Sequence, residues 1–266
     1  MGAVIPIAKK RKMLDFVKKN INKLSQREMA RRLGIGKTTV NRWCVEKFNF
    51  HPTKHSLNHH YFDRLDNVST YILGFIFADG NVSWNPKKSY RALTITASAK
   101  DKNHLERIRR LMEITKPLTY SKSTNSYRLI ANSKYLCKKL MSLGVVPKKT
   151  LKVKFPDYIP NKQLKHFIRG VIDGDGNVRY VDRKRSPYFE ITVASGSKDF
   201  LVGMRNKILD ELKISATPRN INGNTFVLQY TCKRAKKLGR WIYSDANIYL
   251  RRKFLEYRKS RGGNHE

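Results

Sequence analysis

One stretch of this chain is written twice, and that repetition limits the possible folds more than any other feature. Tyr71-Ile72-Leu73-Gly74-Phe75-Ile76-Phe77-Ala78-Asp79-Gly80-Asn81-Val82 is echoed by Phe167-Ile168-Arg169-Gly170-Val171-Ile172-Asp173-Gly174-Asp175-Gly176-Asn177-Val178, so Asp79 and Asp175 stand 96 positions apart. Self-similarity at a fixed offset means two copies of one structural unit. Both copies continue alike. Leu93, Ile95 and Ala97 alternate with Thr94, Thr96 and Ser98, and Phe189, Ile191 and Val193 alternate with Glu190, Thr192 and Ala194. A period of two marks a half-buried strand. Helices over 101–112 and 197–212 follow these runs. Strands are then expected at 119–123 and 127–131 around Thr124-Asn125, and at 216–221 and 225–230 around the hairpin signal Asn222-Gly223. A helix near 134–143, or from residue 234 onward, closes each copy. The fold class is therefore α+β, with two pseudo-symmetric αββαββα halves joined by a Pro-rich connector at 147–160.

The repeated stretch also carries the chemistry. Gly74 and Ala78, like Gly170 and Gly174, are four residues apart and share one helical face. Two such faces let the helices meet almost backbone to backbone. A carboxylate follows each, then Gly80 or Gly176 turns the chain into a strand. Asp79 and Asp175 are thus brought together at the foot of a helix pair. Two carboxylates held close repel unless protonated or bridged by cations, and neighbouring phosphates favour a divalent ion. An oxygen-only set selects Mg²⁺ over zinc.

These residues, Ile72 to Gly80 and Ile168 to Gly176, resemble the motif that names the LAGLIDADG family, and the repeat extends the resemblance over roughly residues 58–258. Two motifs in one chain resemble the single-chain homing endonucleases, in which fused halves replace a homodimer. The resemblance implies a monomer that cuts double-stranded DNA at a long specific target, with Mg²⁺ or Mn²⁺ held by Asp79 and Asp175. It implies one phosphodiester cut per strand, staggered across a minor groove to leave short 3′ overhangs, and a role in intron homing. It also implies lysines near the scissile phosphates, for which Lys149 and Lys253 are the candidates, although either also suits a plain phosphate contact. The first copy departs from the second in having Phe77 where Asp173 stands; Asp173 reads as a helix-end carboxylate with a solvent or linker partner. A catalytically silent fold serving a transcription regulator is the alternative, and the family's intron maturases make intron RNA a second partner class.

Charge agrees with a nucleic-acid partner. Lys and Arg number 56 against 20 Asp and Glu, a formal charge of +36, and phosphate neutralisation releases condensed counterions. Base reading falls to the outward faces of the strands, since two-stranded ribbons fit the major groove. The candidates are Ser83, Asn85, Arg91, Thr94 and Thr96 in the first half, and Arg179, Arg183, Glu190, Thr192, Arg219, Asn224 and Gln229 in the second.

Ahead of the repeat, residues 1–50 form a small all-α domain. Met13, Leu14, Phe16, Val17, Ile21 and Leu24 recur at helical spacing. Ser25 with Glu28 reads as a capping box, and Ala30, Gly34, Ile35, Val40 and Trp43 resemble a helix-turn-helix. Lys37, Thr38, Thr39, Asn41 and Arg42 would then face DNA. An ordinary helical hairpin would share the turn but not call for so basic a surface. Residues 51–66 read as a linker, with Tyr61 and Phe62 anchoring it to the next domain. The linker holds His51, His55, His59 and His60, without a Cys or carboxylate at a zinc-like spacing. The halves are expected over 67–160 and 161–266. Cys44, Cys137 and Cys232 are scattered and odd in number, so no disulfide framework or CxxC site is offered. With no stretch of spanning length, the expectation is an intracellular protein without a membrane partner.

Overall fold

The computed structural model describes residues 6–21, 23–48, 55–85, 90–145, 153–182 and 187–261. The chain forms two compact units, residues 1–54 and 55–266.

The first unit is helical: α1 (Ile7–Asn20), α2 (Gln26–Leu33) and α3 (Lys37–Phe48). Met13, Val17, Met29, Ala30, Val40, Trp43 and Cys44 are its buried core. Gly34 has φ 65°, and this left-handed residue ends α2 and sends the chain into α3. Ser25 Oγ accepts the Glu28 N–H at 3.2 Å, but the expected capping box is only half made. The Glu28 carboxylate turns instead to Arg31 and Arg32, because two guanidiniums one turn on outcompete a single backbone N–H. Those two cations hold its carboxyl down at about 2.

The second unit begins before the expected boundary. Phe62 is buried in its core, Ser56 N–H donates to Thr115 Oγ1, and His59 Nδ1 lies 2.7 Å from Ser133 Oγ. Residues 55–66 are therefore packed onto the first half and do not span free between domains. Asp66 caps the helix that follows through a reciprocal pair with Ser69, at 2.7 and 2.8 Å.

The first half runs α4 (Asn67–Asp79), β1 (Gly80–Asn85), β2 (Tyr90–Ser98), α5 (Lys102–Leu111), β3 (Thr119–Ser121), β4 (Ser126–Asn132) and α6 (Lys134–Ser142). The second runs α7 (Asn161–Asp175), β5 (Gly176–Val181), β6 (Tyr188–Ser195), α8 (Lys198–Leu212), β7 (Arg219–Asn220), β8 (Phe226–Thr231) and α9 (Cys232–Tyr243). Each half is thus αββαββα. The sheets are four-stranded and antiparallel, in the order β1-β2-β4-β3 and β5-β6-β8-β7. The register is set by apolar pairs on the inner face, Val82 opposite Leu93 and Val178 opposite Ile191.

Two departures from the repeat are local. β7 is only two residues long, beginning just after Pro218, which has no N–H to donate to a ladder. An additional helix, α10 (Arg251–Lys259), follows α9. One apolar core runs through both halves, with α4 and α7 packed along each other at its centre.

Candidate active site and nucleic-acid interface

The close approach of α4 and α7 follows from their small residues. From Ser69 to Phe77 every residue of α4 is buried. A Cβ on Gly74 would run into the Phe167 carbonyl oxygen, and one on Gly170 would meet the Tyr71 carbonyl oxygen and, at 2.7 Å, the Phe75 nitrogen. Farther along the pair, a Cβ on Gly174 would strike the Ala78 methyl. Gly74, Ala78, Gly170 and Gly174 therefore line the contact itself, and any larger side chain there would force the helices apart.

Asp79 and Asp175 are the last residues of these two helices. Asp79 is half-buried and Asp175 exposed. The Asp79 Oδ2 lies 3.4 Å from where a Cβ on Gly174 would stand, so the first carboxylate reaches the residue before the second. Gly80 and Gly176 follow, each with no room for a Cβ, which would lie 2.6 Å from the Ile76 oxygen or 2.5 Å from the Ile172 oxygen. Among the described residues no group of three His, Cys, Asp or Glu side chains converges. The donor set at the helix ends is two carboxylates, reinforced by the negative ends of two helix dipoles. Such a set fits a hard divalent cation whose other ligands are phosphate and water oxygens.

Behind Asp175 lies a buried polar cluster. Asp173 is 1% exposed. It accepts hydrogen bonds from Tyr71 Oη at 2.7 Å, the Leu250 N–H at 2.8 Å and Tyr243 Oη at 3.4 Å. Its partners are thus the other half, the end of α9 and the segment before α10, neither solvent nor the connector. Burial pushes its carboxyl up to about 6. Lys253 is 2% exposed and donates to the carbonyls of Ile172, Asp173, Gly174 and Gly176 at 2.8, 2.7, 3.3 and 2.5 Å. Burial lowers its ammonium to about 8 against the opposing pull of Asp173. With its ammonium turned inward to four carbonyls, Lys253 is a buried clamp and not a phosphate contact. Lys149, its expected counterpart, lies outside the described residues. Arg169, one turn before Asp173, donates to the Ile248 and Ile242 carbonyls at 2.9 and 2.6 Å. This cluster was legible only as the difference between Asp173 and Phe77.

The sheets present polar outer faces. In the first, Ser83 and Thr94 point outward and half-exposed, and Thr96 is exposed. Thr96 pairs with Arg128, which pairs in turn with Thr119. Asn85 pairs with Tyr90 at the end of β1. Arg91, expected on this outer face, lies on the inner one. The strand alternates, so Arg91 shares the face of Leu93 and Ile95; its guanidinium lies 3.8 Å over the Trp84 ring on the helix side. A cation–π stack holds it there in place of base contact.

In the second sheet Arg179, Glu190, Thr192, Arg219 and Gln229 share the outer face. They are tied crosswise: Arg219 donates to Gln229 at 2.5 Å, Gln229 to Glu190 at 2.8 Å, and Tyr188 to Glu190 at 3.0 Å. Asn224 is exposed in the β7–β8 turn, and Arg183 lies outside the described residues. Asn81, Arg128 and Asn177, all exposed on these faces, were missed. The alternation Asn81, Ser83, Asn85 was the signal that pointed to the first of them. In the N-terminal unit, taken by itself, Lys37, Thr38, Asn41 and Arg42 are exposed and Thr39 is half-exposed. Asn41 also accepts from Gln26 at 2.9 Å.

Two such sheets on one helix pair define the class. Residues 162–249 match the family model of the LAGLIDADG-like domain. The chain carries that domain and has the fold of the LAGLIDADG homing endonucleases. Among solved structures it is similar to the meganuclease I-AabMI bound to uncleaved DNA, with a TM-score of 0.54 at 13% identity over 74% of this chain and 90% of that one. I-LtrWI bound to target DNA gives a TM-score of 0.51 at 15% identity, covering 77% and 89%. Mesophilic variants of I-DmoI give 0.51 at 17% identity, covering 69% and 94%. Comparison with curated protein sequences finds no match. Among the described residues no helix is long and apolar enough to cross a membrane.

Proposed function

We propose that this chain is a monomeric, sequence-specific double-strand DNA endonuclease of the intron-homing kind, using Mg²⁺ or Mn²⁺. The observation that carries the reading is the pair of carboxylates, Asp79 and Asp175, ending two helices that touch through glycine. They open beside two polar sheet faces in a chain of charge +36. Similar folds support the metal class: I-DmoI has been solved with nicked target DNA in the presence of Mn, and with DNA and Ca. A divalent ion here would supply Lewis acidity to the phosphodiester. Asp79 and Asp175 would hold it. The outer residues of β1, β2, β5, β6 and β8 would set the register of the duplex, with Glu190 suited to accept from a cytosine amine. The N-terminal unit would add phosphate contacts of its own through Lys37 and Arg42, so a chain starting at His55 should bind less tightly and with a shallower salt dependence.

The test is a selection from a randomised duplex library in Mg²⁺, followed by strand-resolved cleavage of the recovered site. Asp79→Asn and Asp175→Asn should abolish double-strand cutting and leave binding intact, and Ca²⁺ should support binding without cutting. Either variant cutting at the normal rate would overturn the assignment. A wild-type chain that selects a site yet cuts it in neither Mg²⁺ nor Mn²⁺ would make it a binding protein, as the regulator reading requires.

A further inference from the structure

We propose that Lys253 is a positioning residue for Asp175: from behind the site, its ammonium bridges the end of α7 to the start of β5 and so fixes the carboxylate between them. The inference rests on the reading of Asp175 as a metal ligand.

The last carbonyls of a helix have no partner within it. At the end of α7, Ile172 and Asp173 are buried and Gly174 and Gly176 half-buried, and the one backbone cap there is the Gly176 N–H on the Ile172 carbonyl. Lys253 donates to Ile172, Asp173 and Gly174 on the helix side and to Gly176 on the strand side. The bonds to Gly174 and Gly176 bracket Asp175, so the peptide on its N-terminal side and the turn after it are held by one charge. Gly174 and Gly176 cannot stiffen this turn by themselves, since neither has a side chain to pack. The ammonium also offsets the negative end of the α7 dipole. Lys253 is in turn placed by the segment before it. Leu250 opens α10 without a side-chain cap, and its N–H is held by Asp173. Tyr257 and Phe254 pack α10 onto Tyr243 of α9. Asp173 and Lys253 thus lock each other's elements around Asp175.

The experiment compares Lys253→Met with Asp175→Asn and Asp79→Asn on the selected duplex, end-labelled on each strand. Binding is measured in Ca²⁺ and cleavage in Mg²⁺, below the melting temperature of every variant. Lys253→Met keeps the aliphatic stem and removes the charge. It should bind with unchanged affinity yet cut about a hundredfold more slowly, the order that a misplaced reacting group costs, and with the strand bias of Asp175→Asn. Lys253→Arg, which keeps the charge in a different shape, should show a smaller loss with the same bias, and it carries the test if Lys253→Met does not fold. Undiminished cleavage, or a bias unlike that of Asp175→Asn, would overturn the proposal while leaving the active site intact. Normal cutting by Asp175→Asn would overturn the active-site reading and this inference with it.

Discussion

The two halves repeat their backbone but fill the seam between them in opposite ways. At equivalent positions of the repeat, Tyr71 and Asp173 meet across the seam as a hydrogen-bonded pair, whereas Phe167 and Phe77 meet as an edge-to-face ring pair with centroids 5.2 Å apart. Phe77 also stacks on Phe200, and a Cβ on Gly144 would stand 3.4 Å from its ring. One member of each pair comes from each half. A homodimer would be bound to two copies of one solution, either two buried carboxylates or none. A single chain can keep one polar and one apolar contact, and this one does. The polar contact falls on the side where Asp173 organises Leu250 and where Lys253 grips the end of α7, while the apolar one packs rings against the second half.

That asymmetry is breakable, and the largest effect is expected from imposing the polar solution on the apolar side. Phe77→Asp would bury a carboxylate against Phe167 with no donor of the Tyr71 kind, at a cost of about 3–5 kcal/mol, as for other unpaired buried charges. Adding Phe167→Tyr should restore part of the loss by supplying a hydroxyl in the place Tyr71 holds on the other side. Urea denaturation of the two single variants and the double variant checks this. Additive losses would show that the two positions do not meet as their rings do here.

A smaller effect tests what the halves share. Gly74→Ala and Gly170→Ala each push a methyl into a backbone carbonyl of the opposite helix, and overpacking of this sort costs about 1–3 kcal/mol. The losses should be similar, because the contact is symmetric where the pairs beside it are not. Gly36→Ala, whose added methyl would have only Thr39 Oγ1 near it at 3.9 Å, is the control and should be close to neutral. Melting temperatures of the three variants decide the point. A marked inequality between Gly74 and Gly170 would mean that the twofold contact is relieved on one side.

Most of what is symmetric could be read from the sequence, and most of what is not could not. Glycine spacing and strand alternation are local patterns with a fixed geometric meaning, so the helix pair, the sheets and the placement of Asp79 and Asp175 were legible. Lys253 and Leu250 reach Asp173 and the end of α7 from about eighty residues away, and no local pattern encodes such a meeting. Arg91 was misplaced for a different reason. Its outward assignment followed the residue type, while the alternation through Leu93 and Ile95 already put it on the inner face. Trp84, opposite it in the register, supplies the stack that keeps a guanidinium there.

The smallest expected effect is a pH response in which two groups of the polar side oppose each other. His104 Nε2 lies 2.9 Å from Tyr71 Oη, and burial lowers the imidazole to about 4 from an ordinary 6.5. The fold favours its neutral form, so its contribution is complete above pH 6.5 and is lost as pH falls through 4. Asp173 runs the other way. Burial raises it to about 6 from 3.8, so its contribution is complete below 3.8 and is lost as pH rises through 6. Between pH 6.5 and 4 the two changes offset each other in the native chain. His104→Gln should therefore lose less stability on acidification than the native protein, and Asp173→Asn should lose more, each by about 1–2 kcal/mol between pH 7 and 5. Subtracting the native curve removes the surface carboxylates common to all three. Parallel curves for the three proteins would mean that neither group titrates across the fold in this window, and that the polar pair of the seam is held by hydrogen bonds whose charge state is the same folded and unfolded.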